Sequence, residues 1–323
     1  MPAKQPDVLL IGPQRPILAQ GLADFTVHKL GDAEAESAVP ASAAHVTAMA
    51  VSAPMRPIDD ALLAVLPDLE IISSFGVGYD HIDANAAARR GVIVTHTPDV
   101  LTEEVADTAI GLLLNTVREL PEAERYLRAG KWPQGNFRLS RATLRDRTVG
   151  MVGLGRIGIA IARRVEAFGV PVVYHTRRPR PELAYRHYPR LIDMARDADT
   201  LIVIVPGGGA TKNMIDAGVL EALGPRGIVI NVARGSVIDE AALIAALREG
   251  KILAAGLDVF AEEPHVPAEL LAMDNVVLLP HVGSASEFTR AKMDQLLVDN
   301  IRAWAAGKPP LTPVPETPFR SWK

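Results

Sequence analysis

Two stretches of the chain share one rhythm, a short run of β-branched and aliphatic residues followed by an apolar pattern of helical period. In the first, runs at 8–11, 25–27, 46–50, 71–74 and 92–94 predict strands, and helices are expected over 59–65 and 83–90. The second repeats the alternation, with strands predicted at 148–152, 171–174, 201–205, 228–231, 252–255 and 276–279. Strand and helix in turn imply an α/β fold, a small layered domain followed by a doubly wound parallel sheet. Between them a long helix is expected over 102–120, with Thr102 able to cap it, Gly111 inside its apolar pattern and Pro121 ending or kinking it. A last helix is expected over 288–306, and periodicity leaves open whether it closes the second domain or returns to the first. Five prolines in the twelve residues after Gly307 predict an extended tail.

Length agrees with this division, since at roughly 150 residues per domain the 323 residues accommodate two cores. An apolar fraction of 48% and a charged fraction of 22% fit a globular chain and argue against disorder. Lys and Arg total 34 against 38 Asp and Glu, a net charge of -4. That is the wrong bias for a protein that neutralises phosphates, and no nucleic-acid motif accompanies it, so no nucleic-acid partner is expected. The lack of cysteine excludes disulfides, thiolate nucleophiles and Cys-ligated metals, and suits a reducing compartment. The first apolar run stops at Gly12 and Pro13, too short for a signal-peptide core or a membrane span, so a cytoplasmic protein with no membrane partner is expected. The eight histidines contain no HxxxH spacing, and no metal site is expected.

Directly after the strand predicted at 148–152 comes Gly153-Leu154-Gly155-Arg156-Ile157-Gly158, and a helical run over 159–168 follows. In such a motif Gly153 permits the tight turn, Gly155 lets backbone approach a pyrophosphate and Gly158 permits close helix packing. Unpaired N–H groups at the helix start would hold the phosphates. The next strand ends in Tyr174-His175-Thr176-Arg177-Arg178. A site for a free ribose 2′-hydroxyl usually places Asp or Glu there, whereas Thr176, Arg177 and Arg178 suit a 2′-phosphate. NADP(H) is therefore expected in preference to NAD(H). The plainer alternative is a solvated basic loop that continues through Arg180.

Arg234, Glu263 and His281 follow three predicted strands, whose carboxyl ends face the ligand crevice of an open parallel sheet. Arg234 is suited to hold a carboxylate and polarise the adjacent carbonyl. His281 is suited to exchange a proton with the carbonyl oxygen, and Glu263 to fix the tautomer of the imidazole and favour its protonated form. Each residue alone has an ordinary reading, as a surface charge or a packed histidine; their joint placement beside a nucleotide motif carries the reading.

Residues 152–158 (VGLGRIG), 231–240 (NVARGSVIDE), 256–264 (GLDVFAEEP), 280–284 (PHVGS) and 75–83 (FGVGYDHID) resemble the D-isomer-specific 2-hydroxyacid dehydrogenase family. The resemblance is to its NADPH-using glyoxylate/hydroxypyruvate and hydroxyphenylpyruvate reductase branch. It implies a Rossmann-type dinucleotide-binding domain over 99–287 and a smaller flavodoxin-like α/β substrate domain over 1–98 and 288–323. The last helix would cross back to the first domain, and a cleft would close around substrate. Arg234 would bind the carboxylate and carbonyl, His281 would donate the proton, and Glu263, not Glu262, would be its partner. Val77 and Gly78 would supply backbone donors to the substrate carboxylate. Implied cofactor contacts are Arg156 and Ile157 at the pyrophosphate, Val205 and Pro206 near the adenosine side, Thr211, the Val232 and Ala233 backbone, Arg234, and Asp258, His281 and Gly283 toward the nicotinamide. The glycine-rich run 206–211 (PGGGAT) departs from many members and leaves its loop geometry open.

The implied activity is NADPH-dependent reduction of small 2-keto acids, with glyoxylate and hydroxypyruvate first, to D-2-hydroxy acids. Larger aromatic acids such as phenylpyruvate or hydroxyphenylpyruvate are the first alternative, and a nucleotide-responsive corepressor or scaffold without useful turnover is the second. The family is usually homodimeric through its nucleotide domains. That implies roles for the helix at Thr102 and the arm around Trp132 and Pro133, with Trp132 either packing locally or reaching a neighbouring active site.

Overall fold

The computed structural model describes residues 6–30, 45–53 and 57–320. The chain divides into two compact units, Met1–Leu101 with Ser286–Lys323, and Thr102–Ala285. The divisions fall at 101/102 and 285/286 instead of the expected 98/99 and 287/288, because each coincides with the start of a long helix.

The first unit begins with β1 (Asp7–Ile11), α1 (Pro16–Gly21), β2 (Thr26–Leu30), β3 (Ala48–Val51), α2 (Asp60–Ala64), β4 (Ile71–Ser74), α3 (Ala84–Arg90) and β5 (Ile93–Thr95). All five strands run parallel in the order β2-β1-β3-β4-β5. Asp59 and Asp83 cap α2 and α3, accepting the N–H groups of Leu62 and Ala86 at 3.1 and 2.8 Å. An Asp just ahead of an apolar helical run has this outcome, because its carboxylate satisfies one of the helix's orphan donors.

The second unit comprises α4 (Thr102–Arg118), α5 (Leu120–Arg128), β6 (Val149–Val152), α6 (Arg156–Glu166), β7 (Val172–His175), β8 (Arg186–His187) and α7 (Leu191–Asp197). It continues with β9 (Thr200–Val203), α8 (Ala217–Leu223), β10 (Ile228–Asn231), α9 (Glu240–Arg248), β11 (Ala254–Leu257), α10 (Ala268–Leu271) and β12 (Val276–Leu278). The parallel sheet has the order β12-β11-β10-β9-β6-β7-β8, so the winding reverses between β6 and β9. Every residue of β6, β9, β10 and β11 is buried, which explains why these strands read as largely apolar runs, with Thr200 and Asn231 their polar residues.

Three local expectations need correction. Thr102 is the first helical residue of α4, not a residue outside it. The break after α4 is made by Glu119 in a left-handed conformation (φ 55°), and Pro121 sits in the first turn of α5, where a missing N–H is harmless. The helix after the glycine motif starts at Arg156, inside the motif. Strand β8, two residues long, escapes prediction because it has no apolar run to announce it.

After the second unit the chain returns to the first as α11 (Glu287–Ala305), capped by Ser286. Met293, Leu297, Val298, Ile301 and Trp304 form its buried stripe, packed toward α1, β3 and β4. Buried Asp294 on the same helix takes two hydrogen bonds from Arg15 Nε, at 3.0 and 2.7 Å. The proline-rich tail is held beside β5 by a bridge between Thr95 and Pro313, with Val314 fully buried. Asn300 fastens the tail to α11: its Oδ1 accepts the N–H groups of Leu311 and Thr312 at 2.9 and 3.0 Å, and its Nδ2 donates to Leu296 O and Thr312 Oγ1. Replacing Asn300 with Ala strands two backbone donors, and the first urea unfolding transition is expected to weaken by about 2 kcal/mol.

Candidate active site

The second unit gathers the carboxyl ends of β10, β11 and β12, neighbours in its sheet, and the three ionisable candidates follow these strands. Asp258 directly follows β11 and is 2% exposed. Its Oδ1 accepts the N–H of Val282 at 2.7 Å and its Oδ2 that of Gly283 at 2.8 Å, while its carbonyl accepts the N–H of His281 at 2.9 Å. These bonds build the turn in which His281 adopts a φ of 53°. The His281 imidazole meets Glu263 with Nδ1 2.6 Å from Oε2, and Glu263 Oε1 accepts the N–H of Phe260 at 3.1 Å. With Glu263 ionised the shared proton sits on Nδ1, which directs Nε2 away from the pair.

Arg234 lies on the neighbouring loop after β10. Asn231, 1% exposed, shapes that loop by accepting the N–H of Ala233 and donating to Arg234 O, both at 3.0 Å. Val232 and Ala233 are buried, and Arg234 Nη1 donates to Ala233 O at 2.8 Å. Gly235 lets this loop meet the segment leading to Glu263: a Cβ there would stand 1.8 Å from the Phe260 carbonyl carbon. Glu240 ties the same two segments by accepting the N–H of Ala261 at 3.2 Å.

Electrostatics differ between the two carboxylates. Burial works to raise Glu263, but the hydrogen bond and charge of His281, the Phe260 N–H and the Arg234 charge together hold it below the ordinary value of 4.5. Asp258 is pushed up, because burial outweighs its two backbone N–H partners.

The reversal point of the sheet carries the glycine motif. Gly153 (φ 98°) passes so close to Ile204 that a Cβ would lie 2.6 Å from its carbonyl oxygen, and a Cβ on Gly158 would lie 2.7 Å from Gly153 O. Gly155, by contrast, faces open space, and no side chain caps α6. Arg156 and Ile157 form the first turn of that helix, so a concave backbone surface fit for a pyrophosphate stands at its N-terminus. Thr176 Oγ1 donates to Arg178 O at 2.6 Å, while Arg177 and Arg178 are exposed and, among the described residues, their side chains show no hydrogen bond or ion pair. The loop is held from below, where the Arg180 N–H donates to Tyr174 Oη at 2.7 Å and Arg180 Nη1 to Leu154 O at 2.8 Å. Arg180 is therefore anchored to the glycine motif, contrary to its reading as a continuation of a solvated basic loop. The glycine-rich run left open by sequence is closed by Thr211, whose hydroxyl donates to Pro206 O at 2.7 Å, just beyond Val205.

In the first unit Val77 and Gly78 follow β4 and are partly exposed. Among the described residues neither N–H donates to a protein acceptor.

Residues 110–283 match the family described as D-isomer specific 2-hydroxyacid dehydrogenase, NAD binding domain. The chain belongs to this family. Glyoxylate/hydroxypyruvate reductase A of Arabidopsis thaliana is 50% identical over 79% of this dehydrogenase and 82% of its own length. The 2-ketogluconate reductase of Gluconobacter oxydans is 41% identical over 97% and 99%. Among solved structures, the NADPH-dependent glyoxylate/hydroxypyruvate reductase of Sinorhizobium meliloti, in complex with NADP and malonate, is 53% identical with a TM-score of 0.95, covering 99% of this dehydrogenase and all of that chain.

Arg234, Glu263 and His281 thus stand on connected loops of one unit, and the glycine motif lies on the same edge of the sheet. Three supporting residues carry no signal of their own in the sequence. Asn231 and Gly235 sit inside a legible motif, but their partners are set by the fold, and Arg180 is indistinguishable by type from its charged neighbours. Asp258, expected through the resemblance on the nicotinamide side, has both carboxylate oxygens engaged by the His281 turn.

Two outcomes follow for the dehydrogenase. Gly235→Ala is expected to force the Arg234 loop off the Phe260 segment and lower kcat/KM at least about a hundredfold, read by steady-state kinetics. Because the folded-state value of Glu263 is depressed, its stabilisation is present above the ordinary 4.5 and is lost as pH falls through the folded value. Glu263→Gln is expected to melt below wild type at neutral pH, and the gap should narrow only as pH falls beneath the ordinary 4.5 and through the depressed folded value.

Proposed function

We propose that this dehydrogenase reduces small 2-keto acids such as glyoxylate and hydroxypyruvate to D-2-hydroxy acids with NADPH, and runs in reverse when metabolite ratios demand. The observation that carries the reading is the 2.6 Å pair of His281 Nδ1 and Glu263 on loops joined to that of Arg234. Arg234 holds the substrate carboxylate through paired donors and polarises the 2-keto oxygen. His281 delivers a proton from Nε2 to that oxygen as the carbon is reduced, and takes it back in the reverse direction. Glu263 fixes the tautomer and balances the imidazolium charge. NADPH, when bound, supplies the hydride.

The residues present fit that cofactor. The backbone at Gly153, Gly155, Arg156, Ile157 and Gly158 would hold the pyrophosphate, and Thr176, Arg177 and Arg178 the 2′-phosphate, favouring NADP(H) over NAD(H). Val205, Pro206 and Thr211 would line the adenosine side. Val232, Ala233, Arg234, His281 and Gly283 would lie toward the nicotinamide, with Asp258 acting through the turn it holds.

The first unit, a substrate domain of flavodoxin-like type, is supported by its strand order β2-β1-β3-β4-β5. Its Val77 and Gly78 N–H groups would bind the substrate carboxylate. The second unit would pair with another copy through its exposed arm: α5 has no buried residue, and Leu127, Trp132 and Leu139 are 55%, 61% and 91% exposed. A cytoplasmic setting agrees with the absence of cysteine. Among the described residues no helix is long and apolar enough to cross a membrane.

NADPH oxidation by the purified protein is expected with glyoxylate and hydroxypyruvate, and more slowly with phenylpyruvate and 2-ketogluconate. Cofactor binding with no turnover on any of them would favour a nucleotide-responsive binding protein. Arg177→Ala is expected to cut the NADPH over NADH preference about tenfold. His281→Ala should lower kcat by about 10²–10⁴ while NADPH affinity holds, and equal losses in both would contradict its role as acid.

A further inference from the structure

We propose that His96 and Thr97 are positioning residues that aim the Val77 and Gly78 N–H groups at the substrate carboxylate, a role that rests on the function proposed above. Among the described residues the cis peptide bond is that of Glu263 and Pro264, so the peptides joining Gly76 to Val77 and Val77 to Gly78 are trans. In a trans peptide the C=O and N–H point in opposite directions, and whatever grips the carbonyl therefore aims the amide.

Both carbonyls are gripped by consecutive residues just past the end of β5. Gly76 O accepts the N–H of Thr97 at 2.8 Å, which turns the Val77 N–H away from Thr97. Val77 O lies 2.9 Å from His96 Nδ1. A carbonyl only accepts, so Nδ1 carries the proton, and the Gly78 N–H points away from His96. Thr97 closes the clamp by accepting the N–H of Gly76 on its Oγ1 at 2.9 Å.

The clamp is itself held. The His96 ring meets the Tyr79 ring edge-on, centroids 5.4 Å apart at 85°. Tyr79 Oη donates to Glu316 of the tail at 3.0 Å, and Thr312 brackets the His96 main chain, its carbonyl accepting the His96 N–H at 3.2 Å and its hydroxyl donating to His96 O at 2.6 Å. Asn300 holds Thr312 in turn. The carboxylate-binding loop thus has its amides oriented by side chains and backbone that need not touch substrate.

Steady-state glyoxylate reduction by wild type, His96→Ala and His96→Asn tests this, with thermal melting as a check on folding. His96→Ala is expected to raise the glyoxylate KM about tenfold, leaving kcat within about twofold and the NADPH KM unchanged. His96→Asn, whose amide N–H replaces that of Nδ1, is expected to return the KM to within about threefold of wild type. A wild-type KM in His96→Ala, or equal impairment of the two variants at equal stability, would overturn the proposal. Calorimetric binding of oxamate to the NADPH-loaded protein is expected to weaken in parallel and needs no turnover. A wild type that binds oxamate but reduces no keto acid therefore sinks the catalytic reading while still testing His96, and a wild type that binds none sinks both.

Discussion

The turn that presents His281 depends on one buried carboxylate. Asp258, fixed at the end of β11, receives the successive N–H groups of Val282 and Gly283 and returns its own carbonyl to the N–H of His281. A left-handed φ is costly for a side-chain-bearing residue, of order 1–3 kcal/mol, and persists only where surrounding bonds over-determine it. The burial that makes these bonds strong also pushes Asp258 upward, so the same residue organises the turn and bears an electrostatic cost. Without that turn nothing directs the imidazole to Glu263.

Around it the parallel sheet performs the long-range work. Arg234, Glu263 and His281 are remote in sequence, yet the strands they follow are adjacent in the sheet, so three loops emerge on one edge. The loops still have to be brought close. Gly235 does this by having no side chain where the Phe260 backbone passes, and Asn231 does it by bonding both sides of its own turn. The first unit uses the same logic with backbone and side chain together: consecutive residues after one strand grip the carbonyls of the loop after its neighbour, Thr97 through its N–H and His96 through its ring.

Much of this architecture is legible in the amino-acid sequence. Apolar runs locate most strands because a strand buried on both faces admits few polar residues, and those it holds, such as Ser73 and Asn231, are hydrogen-bonded; the glycine motif locates the nucleotide turn because the close backbone approaches at Gly153 and Gly158 admit no Cβ. Edges are harder. β8 is too short to carry a pattern, and the break at Glu119 hides behind Pro121, since a proline announces itself whereas a left-handed glutamate does not. At the site, Arg234, Glu263 and His281 stand out only jointly, because each alone reads as a surface charge or a packed histidine and it is their shared place after strand ends beside a nucleotide motif that draws attention. Their supports do not stand out: the hydrogen bonds made by Asp258, Asn231, Arg180 and His96 depend on partners set by the fold, and no local spacing encodes a bond to a carbonyl of another loop.

The central claim is that the Asp258 turn holds the His281 imidazole in register with Glu263. Nitrogen-15 NMR of histidine-labelled protein reads this through the ring tautomer. The account predicts that neutral His281 carries its proton on Nδ1 in wild type, and that Asp258→Asn, still folded, shifts it toward the Nε2 form as the pair loosens. An unchanged Nδ1 tautomer in folded Asp258→Asn, or an Nε2 proton on neutral His281 in wild type, would contradict it.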